Sequence, residues 1–226
     1  MNIHFHHIDH FLDEIWDMEE TKKIAELIIK NPDLLNEFAD FILNSTNMDK
    51  YNNRRVQLLI TYNDSDNLNK ILKLFKSSLE KLSNNDQSQK KNLDHLRGAI
   101  LEILIYRIIS DSFEKRNHNC RVKVSSHTIE YRGKKTIDIA CYSEQENRAK
   151  FFECKVNPYW FNEKEFGYLN NLYNHTNEII SDLVVAGASF DYDIKIKNKF
   201  EKNDITNIIP FGRTKIEELI DNYYVA

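Results

Sequence analysis

Two carboxylates and an amine, Asp138, Glu153 and Lys155, fall within one short stretch of the chain and have the types needed for metal-assisted hydrolysis. Glu153 and Lys155 belong to KFFECKV, an apolar and aromatic run that reads as a strand. A period of two puts both on one face with Phe151, while Phe152, Cys154 and Val156 point the other way. In the preceding strand, TIDIACY, the same rule groups Asp138 with Thr136 and Ala140, opposite Ile137, Ile139 and Cys141. Pairing of the two strands through the Glu144–Arg148 turn would bring Asp138 beside Glu153. Together with the backbone carbonyl of Cys154, these carboxylates are hard oxygen ligands suited to Mg²⁺, with Mn²⁺ able to substitute. An ion held there would lower the pKa of bound water and neutralise charge gathering on a phosphoryl oxygen. Lys155 would add a compact positive charge beside the reacting groups.

An acid two residues before a lysine also occurs at Glu20/Lys22 and Asp193/Lys195. The first falls on an expected surface helix, where i,i+2 side chains do not face each other. The second lies in a polar stretch with no acid on a preceding strand. Taken alone, Glu153/Lys155 also reads as an ion pair on a solvated sheet face. Glu102 is a fourth candidate: Gly98, Ala99, Ile105, Tyr106 and Ile109 surround it at helical spacing, so its carboxylate needs a partner. A metal, a metal-bound water or Lys155 would serve, as would a salt bridge to Arg97 or Arg107. Arg132, Lys134 and Lys135 bring three positive charges to an expected hairpin tip and are candidate phosphate contacts. Tyr159, Trp160 and Phe161 could stack on bases, although packing beneath the following helix is the expectation. Tyr168, Asn171 and His175 share a helical face and could orient water or phosphate. His4, His6, His7 and His10 are expected to be surface histidines and not a metal set.

The elements that must position these residues follow from hydrophobic spacing. Helical stripes run through residues 8–82: Ile8, Phe11, Leu12, Ile15 and Trp16, then Ile24, Leu27 and Ile28 up to Asn31-Pro32, then Leu34 to Ile42, Val56 to Ile60 and Leu68 to Leu79. Residues 83–91 are polar and read as a linker. The expected organisation is therefore a small all-α N-terminal domain over 1–82, controlling partner, self-association or substrate, and a second domain over 92–226. In the second, Leu96–Phe113 is apolar almost all round and reads as a central buried helix. Strands are expected at Arg121–Ser126, Thr128–Tyr131, Thr136–Tyr142 and Lys150–Val156, with Arg132-Gly133-Lys134 turning the middle pair into a hairpin. Asn162 with Glu165 forms a capping box for a helix to about Ile180. Asp182–Ala188 and Asn207–Phe211 read as strands and Thr214–Tyr223 as a last helix, giving an α/β fold with a mixed central sheet flanked by helices.

Composition bounds the rest. The chain is 41% hydrophobic and 29% charged, an ordinary globular balance. No run approaches the roughly 20 apolar residues of a membrane span, and histidines and acids stand where a signal peptide is basic and then greasy, so a cytoplasmic, non-membrane protein is expected. Cys120, Cys141 and Cys154 have no C-x-x-C spacing and read as reduced, buried thiols. The net charge of −4 is unevenly spread, at −7 over residues 1–50, +7 over 51–150 and −4 over 151–226. The middle segment can approach phosphates although the whole chain is acidic.

A helix with an inward acid, a β-hairpin carrying an Asp, a strand with E-x-K and then a helix and strand resemble the PD-(D/E)XK nuclease superfamily, the restriction-endonuclease-like fold. The resemblance covers roughly residues 97–211. It implies that Asp138 is the first acid, Glu153 and Lys155 the E-x-K pair and Glu102 the acid of the preceding helix; Ile137 stands where the motif has proline. It implies a Mg²⁺-dependent endonuclease acting on DNA, of the kind found in prokaryotic restriction or phage-defence systems. The alternatives are an RNA nuclease and a catalytically silent nuclease-fold subunit that binds DNA or a protein partner.

Overall fold

The computed structural model describes residues 3–8, 12–83 and 88–223. Its elements run β1 (Ile3–His7), α1 (Leu12–Asp17), α2 (Glu19–Lys30), α3 (Leu34–Asn44), α4 (Met48–Thr61), α5 (Asp66–Leu82) and α6 (Gln89–Ser110). There follow β2 (Lys115–Val124), β3 (His127–Thr128), β4 (Ile137–Ser143), β5 (Arg148–Cys154), a 3₁₀ turn at Pro158–Trp160, α7 (Glu163–Thr176), β6 (Asp182–Ala188), α8 (Asp193–Glu201), β7 (Ile209–Phe211) and α9 (Arg213–Tyr223). The strands form one seven-stranded mixed sheet in the order β1-β2-β4-β5-β6-β7, with β3 paired to β2. Pairing is antiparallel from β1 to β5 and parallel from β5 to β7. The chain is thus α/β, with helices on both faces of the sheet.

Strand alternation sorts the side chains as expected around the centre. Ile139, Cys141, Phe152, Cys154 and Ala186 face one core, which they share with α1 to α6 and α9. Ala140, Tyr142, Phe151 and Val185 face the other, built with Phe166, Tyr168 and Leu172 of α7 and Ile196 and Phe200 of α8. Ile137 departs from this pattern and joins the second core. It comes just before the interruption of the β2–β4 ladder, where Asn119 takes a φ of 43° and no pairing is formed opposite Asp138.

The central helix is longer than expected. Ser88 caps it by accepting the Lys91 N–H, and from Leu93 to Ile109 it is buried on nearly all sides. A helix apolar around its whole circumference must be covered on each side, by the sheet on one and by α2 and α5 on the other. Consequently the N-terminal helices share a single core with the sheet face. The segment also opens with a strand: IHFHH alternates, and Ile3, Phe5 and His7 turn inward while His4 and His6 are exposed. Part of the expected linker, 84–87, lies outside the described residues; Ser83 ends α5, and Gln89–Lys91 already belong to α6.

Two further differences bear on the site. The expected hairpin between 128–131 and 136–142 is replaced by an isolated bridge between Tyr131 and Lys134, because the ten-residue β2 offers its edge to both β3 and β4. Helix α8 occupies the polar stretch after Asp191; parallel β6 and β7 require a crossover, and α8 supplies it. The three cysteines are free and buried. Among the described residues no helix is long and apolar enough to cross a membrane.

Candidate active site

The β4–β5 register pairs Ile139 with Phe152 and Ala140 with Phe151, so its continuation by one residue sets Asp138 against Glu153. The Cys154 backbone N–H donates to Asp138 Oδ2 at 2.7 Å, which fixes that carboxylate over the end of β5. Glu153 is fully buried. Its Oε1 accepts from the Lys155 ammonium and, at 2.8 Å, from Lys134 Nζ. Lys155 Nζ also lies 3.7 Å from Asp138 Oδ2. Glu153 Oε2 is buried with no hydrogen-bond partner among the described residues.

Glu102 enters from α6. Its Oε2 accepts the indole N–H of Trp16 at 3.0 Å, while Arg97 pairs with Asp94 at 2.8 Å and Arg107 with Glu26 at 2.6 Å. Neither arginine is its partner. Three carboxyls and two ammonium groups, largely screened from solvent, are therefore gathered in one place. Burial, then the charge of Asp138, hold Glu102 well above the usual carboxylate range. Burial, then Glu153, raise Asp138. Burial would raise Glu153 too, but Lys155 and Lys134 outweigh it and hold this carboxyl low. For Lys155 burial works against the ammonium, and Asp138 and Glu153 outweigh it, so it stays protonated far into the alkaline range.

The expected phosphate-binding trio divides. The tight turn from Tyr131 to Lys134 has exchanged backbone hydrogen bonds of 2.9 and 2.8 Å, with φ of 45° at Arg132 and 84° at Gly133. It folds back onto α7 instead of projecting. Lys134 points into the centre, Arg132 pairs with Glu163, and Lys135 lies 3.4 Å from Glu130. Gly167 makes room for this: a Cβ there would meet the Tyr131 ring at 2.2 Å. The hairpin reading failed because β4 found its partner in β2, which leaves the turn free to pack inward.

Of the three residues expected on one face of α7, only Tyr168 adjoins the centre. Lys134 Nζ lies 5.8 Å from the Tyr168 ring centroid, and the buried phenol oxygen has no partner among the described residues. Asn171 donates to the Glu130 carbonyl, and His175 stacks on His127. Of the aromatic trio after β5, Phe161 is packed in the core, whereas Tyr159 and Trp160 are 71% and 45% exposed. The expectation that all three pack beneath α7 therefore holds only for Phe161; the 3₁₀ turn started by Pro158 carries the other two rings to the surface.

Sequence reasoning did not assign Lys134 to the centre or Trp16 to Glu102. A charge count could have found the first, since three clustered acids, two of them buried, need more than one cation. Trp16 gave no such signal, being one apolar residue in a helical stripe. No protein-family model matches the chain, and no curated protein matches it in sequence.

Proposed function

We propose that the chain is a metal-dependent endonuclease that hydrolyses DNA phosphodiester bonds, of the PD-(D/E)XK kind, with Asp138, Glu153, Lys155 and Glu102 as its centre. The supporting observation is the state of Glu153: one oxygen gathers both lysines, and the other is buried and has no partner among the described residues. An unsatisfied carboxylate oxygen in a dry site is costly unless a cation completes it. Asp138 and Glu153, with the Cys154 carbonyl, would hold Mg²⁺ or Mn²⁺, and the hard oxygen donors fit such an ion. When bound, that ion supplies charge neutralisation at the scissile phosphate and a more acidic water.

The chain's own residues do the rest. Lys155, fixed between Asp138 and Glu153, directs a permanent positive charge at the phosphate. Glu102, held protonated more readily than an ordinary acid, can keep or release a proton next to Asp138. Arg132 and Lys135 contact the backbone once their surface acids are displaced, since such exposed pairs are weak. The exposed rings of Tyr159 and Trp160 offer stacking surface to an unpaired base.

Lys134 favours a second reading. Its contact with Glu153 also suits a catalytically silent subunit, in which the lysine stands in for the ion. One experiment separates them: full-length protein is incubated with supercoiled plasmid and with single-stranded RNA, in Mg²⁺, Mn²⁺ or chelator. Metal-dependent nicking of the plasmid, lost in Glu153→Gln and Lys155→Ala, is expected. Protein that binds DNA yet leaves it intact in every metal, both as wild type and as Lys134→Ala, sinks the enzyme reading; cleavage of RNA alone replaces the substrate.

A further inference from the structure

His7 closes β1, Asp13 lies in the first turn of α1, and His118 lies in the middle of β2, so residues from three separate elements meet beside the sheet edge. One donor atom from each lies within 4.8 Å of the other two. His7 Nε2 is 3.1 Å from Asp13 Oδ2, and His118 Nε2 is 3.5 Å from Asp13 Oδ1. Tetrahedral ligands at bonds of about 2.0–2.1 Å stand about 3.4 Å apart, so two of the three spacings already suit an ion.

The proton count at His7 is the second observation. Its Nδ1 lies 3.0 Å from the backbone carbonyl of His118, which can only accept, so Nδ1 carries the hydrogen. The lone pair of Nε2 then faces a carboxylate oxygen. That arrangement is repulsive unless a second proton or a cation lies between them. A ring N–H donated to a carbonyl is also the usual way in which a ligating histidine is oriented for its metal. His118 is held from the other side by Trp16, whose ring stacks on it at 3.9 Å and 6°.

We infer that His7, Asp13 and His118 form a second metal site, separate from the cleavage centre, that takes a borderline transition ion of the Zn²⁺ type. Two imidazoles and one carboxylate suit that class, whereas Mg²⁺ prefers all-oxygen shells. The ion braces β1, α1 and β2 together. Trp16 connects this brace to the cleavage centre, because the same indole that stacks on His118 donates to Glu102.

The site is tested independently of cleavage by titrating the full-length chain with Co²⁺ and following the visible absorption of a low-symmetry N/O site. Wild type and Asp138→Asn, which lacks a carboxylate of the other centre, should each take up one Co²⁺ that Zn²⁺ displaces and Mg²⁺ does not. Asp13→Asn and His118→Gln should bind more than ~100-fold more weakly, since loss of even an outer-shell partner costs roughly 10–100-fold. Absence of a wild-type Co²⁺ spectrum, or unchanged affinity in both site variants, overturns the assignment. Should the variants fail to fold, thermal unfolding of Asp138→Asn decides: a Tm rise with Zn²⁺ and none with Mg²⁺ supports the site, and equal or absent rises reject it.

Discussion

At Glu153 one oxygen carries two ammonium partners while its twin has none among the described residues. Removing Glu153 leaves Lys155 and Lys134 as poorly compensated, largely buried charges, a loss of up to about 3–5 kcal/mol for a buried pair broken on one side. Asp138 and Glu102 instead have carboxyls raised by burial and then by a neighbouring acid, Glu153 for Asp138 and Asp138 for Glu102. A carboxyl whose folded pKa exceeds its unfolded value takes up a proton on folding. Its stabilising contribution is therefore complete below the ordinary carboxylate pKa of about 4 and is lost as pH rises through the folded value. Amides that mimic the neutral acids should thus help the fold where the acids are ionised. Asp138→Asn and Glu102→Gln are expected to raise Tm at neutral pH, with the gain vanishing on acidification to about pH 4. Glu153→Ala should lower Tm, and Asp138→Asn and Glu153→Ala should both abolish cleavage. Thermal melts of the three variants across pH check this; a Tm decrease for both amides at neutral pH contradicts the assigned shifts.

Between residue and fold, the element that aims Lys134 is the Tyr131–Lys134 turn, seated on α7 at Gly167. A methyl group at 167 would fall at 2.2 Å from the Tyr131 ring, so the ring and its turn must move. Misplacement of a positioning element by about 1 Å can cost roughly 100-fold in rate. On the enzyme reading Lys134 helps Lys155 keep Glu153 ionised, so Gly167→Ala should reduce cleavage towards that extent while far-UV circular dichroism stays unchanged, and Gly167→Ala with Lys134→Ala should cost little more than Lys134→Ala alone. Full additivity of the two would separate the turn from the lysine. Elements of this kind are where the chain is hardest to read. Strands β4, β5 and β6 were legible because each alternates or runs apolar between turns, and α7 because Asn162 and Glu165 form their capping box as expected. Those elements suffice to put Asp138, Glu153 and Lys155 together. The first half of β2, KRNHN, has no apolar alternation, so neither its partnership with β4 nor the position of His118 could be anticipated. Strand β1 carried the right signal in IHFHH, but at five residues it was overshadowed by the helical stripes that follow. Which of Arg132, Lys134 and Lys135 turns inward depends on the β2–β4 pairing, a long-range choice that local patterns do not encode.

At the scale of the whole molecule, the N-terminal helices act as the cover of the sheet. Phe38 of α3 meets Phe190, beyond β6, edge to face with centroids 5.9 Å apart. Arg213 at the start of α9 is buried, donates to the Phe190 carbonyl at 3.1 Å, and holds Asp40 of α3 at 2.7 Å. Ile24, Ile28, Phe38, Phe41, Leu72 and Phe75 are all essentially inaccessible and belong to the same core as Leu96, Ile100 and Leu104 of α6. Large apolar side chains contribute about 1.5–3 kcal/mol each when buried, so losing six such residues from the cover forfeits about 9–18 kcal/mol. A whole domain is commonly stable by only about 5–15 kcal/mol. Removing residues 1–91 also strips β1 from the sheet and Trp16 from Glu102. Full-length protein should therefore unfold in a single cooperative transition, and residues 92–226 alone should show no cooperative melt and should bind a hydrophobic dye. Calorimetry on both chains checks the expectation. A cooperative transition for residues 92–226 near the full-length Tm would mean that the sheet and α6 are self-sufficient, and would make the helices a separable regulatory unit instead of half of the core.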